Sequence, residues 1–220
     1  MVVMHDVQLT SIICFGPDGS GKSTLARLLR SYMFSHGVYA YISWFRGSHL
    51  FASILAVFLS HFAVFKGCSN PYYGINIPSR LRPLWILIEF FSFLPHYLLR
   101  KSLSLLHPVI GDRGVLDFIV WIIVTLNHSK FLTSLLGSFL AKLATMDLAI
   151  YVTADFATLH RRVSNVHRSF LLKETACYNV LAKYYAFYTI DTTNKTPRES
   201  LNELLKCLQS SKTIRERKYC

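Results

Sequence analysis

Acidic residues, paired cysteines and long apolar runs are all scarce in this chain of 220 residues. It has 12 Asp and Glu against 24 Lys and Arg, and hence a formal net charge of +12. None of its five cysteines forms a C-x-x-C pair, which argues against a zinc site or a disulfide framework and favours reduced thiols in the cytoplasm. No apolar run reaches the roughly 20 residues of a spanning helix, so we expect no transmembrane segment. Met1–Gln8 also lacks the apolar core of a signal peptide.

The positive charge favours an anionic partner, such as a nucleotide, a nucleic acid or an anionic lipid surface. Because no aromatic–glycine RNA-binding signature accompanies the basic residues, we expect no specific nucleic-acid partner. We interpret residues 1–212 as one domain and 213–220 as a basic, solvated tail. Hydrophobic residues make up 52% of the chain, and we expect three apolar stretches to form buried helices or a homodimer interface: Leu50–Phe65, Leu84–Leu99 and Val115–Leu126.

The most specific motif is the glycine-rich segment at 16–24, G-P-D-G-S-G-K-S-T. It fits the pattern G-x-x-x-x-G-K-[ST], which wraps backbone N–H groups around phosphates. The apolar run Ile12–Phe15 predicts a buried strand before it, and apolar residues at helical spacing from Leu25 predict a helix after it. Lys22 would reach the β- and γ-phosphates, and the Ser23 hydroxyl would ligate Mg²⁺. We therefore predict a loop that binds a nucleoside triphosphate, formed by Gly16, Pro17, Asp18, Gly19, Ser20, Gly21, Lys22, Ser23 and Thr24.

The rest of the chain alternates predicted strands with predicted helices, which indicates a parallel, doubly wound α/β sheet. Further strands are predicted at Val38–Trp44, up to Asp112, at Met146–Val152 and at Tyr188–Asp191. Helices are predicted at Leu50–Phe65, Leu84–Arg100, Leu116–His128, Leu132–Leu143, Lys173–Tyr185 and from Pro197 to about Lys212. We also predict a loop at Lys66–Arg82, and a kink or break at Pro95.

Several charged residues occupy positions that suit phosphate chemistry. Asp112 ends a predicted strand, where a carboxylate beside a phosphate loop can hold Mg²⁺, and Arg113 beside it can bind a phosphate in bidentate fashion. The alternative is a surface Asp–Arg pair. Arg46 follows another strand, and it either binds a phosphate or lies at a surface turn. Glu89 lies in an apolar helix and either faces a cleft or pairs with a core arginine.

Arginines also cluster further along the chain. Asp155 is predicted to cap a short helix that carries Arg161 and Arg162, and Arg168 follows after a turn. Arginines in this arrangement could close over a triphosphate and stabilise charge on the transferring phosphoryl group. A solvated basic face would account for the same spacing.

Taken in order, these segments resemble the nucleoside monophosphate kinases of the thymidylate kinase type over nearly the whole chain. The resemblance rests on Gly16–Thr24, Phe45–Gly47, Gly111–Arg113, Leu159–Arg168 and Ile190–Pro197. It implies a three-layer α/β/α P-loop fold with a five-stranded parallel sheet and a short arginine-bearing lid at about 159–175. It also implies ATP and Mg²⁺ as cofactors, and phosphoryl transfer to a nucleoside monophosphate, dTMP above all.

The resemblance implies roles for single residues as well. Asp18 would meet the sugar of the acceptor, and a lid arginine would be catalytic because Gly19, not arginine, follows Asp18. Thr192–Pro197 resembles the loop that packs on adenine, so Thr192 and Pro197 join the ATP site. The implied catalytic residues are Lys22, Asp112, Arg113, Arg161, Arg162 and Arg168; the acceptor residues are Asp18, Arg46, Glu89 and Arg113; and the metal ligands are Ser23 and Asp112.

Two departures from the family pattern concern the acceptor. Gly114 stands where the family usually has an aromatic residue, and Leu84–Arg100 offers no internal arginine to read thymine. Gly114 and the apolar helices motivate an alternative function, a P-loop protein without kinase activity that serves as a nucleotide-binding or membrane-surface module. A third hypothesis, an ATPase acting with nucleic acid, draws only on the charge.

Overall fold

The computed structural model describes residues 11–45, 47–163 and 166–217, and the side chains up to residue 209. The strands are β1 (Ile12–Phe15), β2 (Tyr41–Trp44), β3 (Lys66–Asn70), β4 (Val109–Asp112), β5 (Leu148–Thr153) and β6 (Tyr188–Asp191). The α-helices are α1 (Lys22–Ser35), α2 (Leu50–Ser60), α3 (Arg82–Ser104), α4 (Val115–Thr125), α5 (Leu135–Ala144), α6 (Phe156–Arg162), α7 (Arg168–Tyr185) and α8 (Pro197–Arg217). Short 3₁₀ turns lie at Ala63–Phe65, Ser79–Leu81 and Ser129–Thr133.

The predicted three-layer α/β/α architecture with a five-stranded parallel sheet is confirmed. The strand order is β2-β4-β1-β5-β6, so the first strand lies at the centre. Cys14 of β1 is level with Asp112 of β4 on one side and with Ile150 of β5 on the other. Because parallel strands end at the same edge, the segments after β1, β4 and β5 meet there.

Alternating side chains of the strands build a core on each face of the sheet. Ile12 and Cys14 of β1 pack with α1 and α8 on one face, whereas Phe15 packs with the larger cluster on the other. That larger cluster draws its buried side chains from α2, α3, α4, α5 and α7. Among the residues that the structure describes, no helix combines the length and the apolar character that a membrane crossing requires.

Several predicted element boundaries were wrong. Residues 66–82 do not form a plain loop, because β3 bridges back to Ile75 and makes a short arm. The second helix ends at Ser60 rather than Phe65, and the helix predicted from Leu132 opens with a 3₁₀ turn before Ser134 caps α5. The last helix continues to Arg217, into the segment predicted as a frayed tail, since no glycine or proline interrupts it.

Pro95 does not end the third helix. The helix α3 continues through it to Ser104, since a proline removes a single N–H donor and buried Phe93 and Tyr97 hold the flanking turns in the core. The predicted cap of α6 is confirmed, because the Asp155 carboxylate accepts the Thr158 N–H at 2.7 Å.

Arg100, near the end of α3, crosses the core to the loop that follows β4. Its side chain is 1% exposed and donates to the Arg113 carbonyl at 3.0 Å and to Asp147 at 3.5 Å. The guanidinium also lies 4.7 Å from the centre of the Phe45 ring. A Cβ added at Gly114 would lie 3.3 Å from Arg100 Nη2 and 2.8 Å from Ile13 Cγ2. This packing explains why glycine, and not an aromatic residue, follows Arg113.

We expect Arg100→Ala to destabilise the fold by on the order of 3 kcal/mol, because it leaves the Arg113 carbonyl without its side-chain donor, removes one of the two cations paired with Asp147 and empties the core of a large side chain. Lys101→Ala is the control, since Lys101 bonds the same Asp147 at 2.7 Å but is 27% exposed, and we expect it to cost about 1 kcal/mol or less. Urea unfolding of both variants measures the difference. Equal losses in the two variants would contradict the buried role of Arg100.

Candidate functional site

The predicted phosphate loop lies between β1 and the N-terminus of α1. Gly16 has φ +145° and Gly21 has φ +93°, both unfavourable for other residues. A Cβ at Gly16 would also overlap the Val152 carbonyl of the neighbouring strand. Lys22 is buried, and its ammonium donates to the Pro17 carbonyl at 2.6 Å. The loop thus lies at the carboxyl end of β1, and the Lys22 side chain lies inside its curve.

Two cavities flank this loop. The smaller, which we call the loop cavity, has a volume of about 440 Å³ and contains Lys22, Thr24, Arg162, Thr192 and Pro197 in its wall. The larger, which we call the aromatic cavity, measures about 600 Å³. Its wall combines aromatic with acidic side chains: Trp44, Phe45, Tyr72, Tyr73, Phe118, Trp121, Phe170 and Tyr178 with Asp18, Asp117 and Glu174. Asp18, Ser23 and Arg113 line both cavities, so the two spaces adjoin at these residues.

Asp18 is the centre of the contacts at this junction. Its carboxylate forms an ion pair with the Arg113 guanidinium and accepts a hydrogen bond from the Tyr72 hydroxyl of the β3 arm. Burial opposes ionisation, but the Arg113 and Lys22 charges outweigh it and lower the pKa of Asp18 to about 2. Asp18 is therefore ionised, and it joins the phosphate loop to the arm and to the loop after β4.

Arg113 has an unusual backbone. Its φ of +78° lies in the left-handed region, which is uncommon for a residue other than glycine. Two hydrogen bonds hold this conformation. The Arg113 N–H donates to the Cys14 carbonyl of β1 at 2.9 Å, and the Arg100 guanidinium donates to the Arg113 carbonyl. Strained residues of this kind concentrate at functional sites. Here the conformation directs the side chain into the junction of the two cavities.

Asp112 and Ser23 suit the Mg²⁺ ion predicted from the sequence. Asp112 is buried at the end of β4, and its Oδ1 accepts no hydrogen bond from the described residues. A buried, unpaired carboxylate oxygen is costly unless a cation or a ligand satisfies it. Within the described ranges, no cluster of three or more His, Cys, Asp and Glu could hold a metal. Ser23 lines both cavities, whereas Asp112 lines neither. The two residues stay the predicted Mg²⁺ ligands, because proteins often bind Mg²⁺ through one carboxylate and substrate phosphates.

Two buried acids escaped the sequence prediction. Asp117 of α4 accepts from the backbone N–H groups of Gly114 at 2.7 Å and Gly16 at 3.4 Å, and from the Tyr178 hydroxyl at 2.7 Å. Glu174 of α7 accepts the Asp18 N–H at 3.3 Å. Burial raises the pKa of Asp117 and, together with Asp18, raises that of Glu174 to about 7. Asp117 could have been found as the acid of an N-terminal capping box, whereas Glu174 has no sequence signal.

Glu89 lies behind the wall of the aromatic cavity. Its Oε1 accepts from Ser48 at 2.6 Å, Trp85 at 3.1 Å and Trp121 at 3.3 Å. Burial raises its pKa to about 7 although these hydrogen bonds favour the charged form. Ser48 and Trp121 line the cavity, so Glu89 fixes part of its wall. Trp121 is partly buried, lines this cavity and lies against Gly47.

The structure separates the three lid arginines. Arg162 donates to the Gly19 carbonyl at 3.2 Å and to the Thr192 carbonyl at 3.1 Å, and it lines the loop cavity. All three arginines are exposed, but Arg161 and Arg168 line neither cavity. The Arg168 guanidinium lies 5.8 Å from the Phe156 ring centre. Arg46, the predicted ligand of the acceptor phosphate, lies outside the described residues.

Comparison with known proteins finds a match by structure but none by sequence. No protein-family model matches the sequence, and no curated protein sequence matches it either. The structure is similar to that of a thymidylate kinase from Ehrlichia chaffeensis, with a TM-score of 0.58 and 17% identity over 90% of this chain and 98% of that chain. The fold is shared with a thymidylate kinase. At this identity the likeness concerns the fold alone, and the chemistry must be argued from the site.

Proposed function

We propose that the protein transfers a phosphoryl group from ATP to a nucleoside monophosphate, with dTMP first among the acceptors. The observation that carries this proposal is the meeting of the loop cavity and the aromatic cavity at Asp18, Ser23 and Arg113. Direct transfer needs the donor phosphate and the acceptor oxygen in line and in contact, and adjoining cavities provide that arrangement.

The loop cavity suits the donor. The phosphates of ATP would lie against the backbone N–H groups of the loop, at the N-terminus of α1, with the Lys22 ammonium beside them. Ser23 and Asp112 would hold Mg²⁺, which when bound neutralises charge on the β- and γ-phosphates. Thr192 and Pro197 also line the cavity, and the adenine would lie against this segment. Lys195, a cation that sequence reasoning missed, lines the same cavity.

The aromatic cavity suits the acceptor. Arg113 supplies a guanidinium for the acceptor phosphate at the junction, and Arg46 would be the second phosphate ligand. Trp121 and Phe170 offer flat apolar surfaces for a base, and the Asp18 carboxylate can accept from a sugar hydroxyl. The base, the sugar hydroxyl and the phosphate thus each have a candidate partner in this cavity, although the phosphate must replace Asp18 as the partner of Arg113.

ADP release from Mg·ATP against a panel of nucleoside monophosphates tests this function. We expect one monophosphate, dTMP above all, to stimulate turnover strongly, and Lys22→Ala to abolish it because the γ-phosphoryl charge then loses its ammonium. Lys142→Ala, at an exposed lysine of α5, is the control and should leave the rate unchanged. No stimulation by any monophosphate, or full activity of Lys22→Ala, would refute the proposal.

We propose Arg162 as the catalytic arginine of the lid, because it is the one of the three lid arginines that lines the loop cavity. We expect Arg162→Ala to lower kcat by on the order of 100-fold or more, since arginines at the transferring phosphoryl group contribute strongly to its stabilisation. The neighbouring Arg161→Ala is the matched control, and it should change kcat by less than about threefold. Steady-state kinetics of both variants measures the difference. A larger loss of kcat in Arg161→Ala than in Arg162→Ala would assign the catalytic role to Arg161.

We also propose a homodimer formed through α2 and α3. Helix α2 carries no charged residue, so two copies can pack face to face without like-charge repulsion despite the net charge of +12. The two helices pack on each other and expose apolar side chains that a soluble monomer would normally cover. These are Leu50, Phe51, Ile54, Val57 and Phe58 of α2, and Leu84, Leu87, Phe91 and Leu98 of α3.

Sedimentation equilibrium at micromolar concentration tests the dimer. Ile54→Asp places a charge in a face that both copies share, and it should shift the protein to the monomer. Leu135→Asp is the control, because Leu135 is 94% exposed but lies on α5. A monomeric wild type that instead sediments with anionic vesicles would favour the membrane-surface alternative.

A further inference from the structure

The charge of the aromatic cavity is unusual for a site that binds a phosphate. Among the described residues of its wall, three carboxylates face one cation, Arg113. Arg113 is already paired with Asp18, and its Nη1 lies 3.8 Å from the Asp117 carboxylate. A phosphate monoester adds roughly −1.5 to −2 charges at neutral pH and must compete with Asp18 for the guanidinium. An uncharged hydroxyl group adds no negative charge beside the carboxylates and does not compete with Asp18 for Arg113. It can also donate a hydrogen bond to a carboxylate.

Glu174 is the acid whose position suits a reaction at such a hydroxyl. Its Oε2 accepts the N–H of Asp18, the residue that lines both cavities, so the carboxyl group lies next to the place where donor and acceptor meet. Burial and the Asp18 charge raise its pKa to about 7, which suits a proton acceptor near neutral pH. The titratable and charged groups that interact with it are Asp18, Lys22, Tyr72, Arg113, Tyr151, Cys177 and Tyr178. Asp117 lines the same cavity.

We propose that the aromatic cavity also accepts an uncharged nucleoside, and that Glu174 is the general base for its hydroxyl group. This inference rests on the proposed function for the donor, ATP. The hydroxyl oxygen forms a bond to the γ-phosphorus while the bond from that phosphorus to the β–γ bridging oxygen breaks, and the electron pair leaves with ADP. The hydroxyl proton passes to the Glu174 carboxylate and then to water. The products are a nucleoside monophosphate and ADP.

Matched nucleosides and nucleoside monophosphates, such as thymidine and dTMP, provide the test with the full chain. In the wild type we expect both members of a pair to be phosphorylated. In Glu174→Gln the kcat/KM for the nucleoside should fall at least 30-fold, because the amide cannot take the proton. The kcat/KM for the monophosphate should rise, because one carboxylate fewer repels the phosphate. Lys183→Ala, an exposed residue of the same helix, is the control and should change neither value.

The outcomes separate the two proposals. Turnover of the monophosphate without turnover of any nucleoside overturns the nucleoside inference and leaves the proposed function standing. Turnover of the nucleoside alone supports the inference and refutes the proposed function, and turnover of neither refutes both. A Glu174→Gln variant that loses both activities to the same extent shows that the residue is structural, which overturns its role as the base.

Discussion

The parallel pairing of β1 with β4 is the constraint on which the site depends. It sets Cys14 level with Asp112, so the chain leaves the two strands at the same edge, and the phosphate loop and Arg113 emerge side by side. The hydrogen bond from the Arg113 N–H to the Cys14 carbonyl continues the pairing beyond the last residue of β4. The ion pair of Arg113 with Asp18 at the junction of the two cavities follows from that register.

Burying so many ionisable groups at one edge is expensive, and the structure offsets the cost with local partners. The Asp117 carboxylate accepts hydrogen bonds from two backbone N–H groups and from the Tyr178 hydroxyl. The Asp18 carboxylate forms an ion pair with Arg113 and accepts a hydrogen bond from the Tyr72 hydroxyl. Asp112 Oδ1, and Glu89 Oε2 behind the aromatic cavity, lie buried without a hydrogen-bond donor among the described residues. Such an arrangement is typical of a site whose charges balance once its ligands are bound.

The parts of the molecule that could be predicted from sequence are those governed by local rules. The glycines around Lys22 are recognisable because their backbone conformation excludes other residues, and the apolar runs of β1 and β5 are recognisable because buried strands need them. The site residues that were missed depend on long-range contacts. Tyr72 reaches Asp18 across 54 positions, and Glu174 reaches it across 156. No local pattern marks such residues, because only the tertiary fold brings them to the cavity.

The length of α3 was predicted wrongly for a related reason. A proline is a strong local signal, yet α3 passes through Pro95 because tertiary packing on both sides outweighs one missing hydrogen bond. The same packing hides Arg100 at the end of the helix, where a sequence pattern suggests only a surface arginine.

The contact of Arg100 with Gly114 also constrains how this protein can diverge. The guanidinium occupies the space beside Gly114 that a larger side chain would need, and it simultaneously holds the Arg113 carbonyl. A larger residue at 114 alone would clash with its neighbours, and loss of Arg100 alone would leave the Arg113 carbonyl without this hydrogen-bond donor. A larger residue at 114 therefore requires that both the Ile13 methyl group, 2.8 Å from an added Cβ, and the Arg100 guanidinium, 3.3 Å from it, move away.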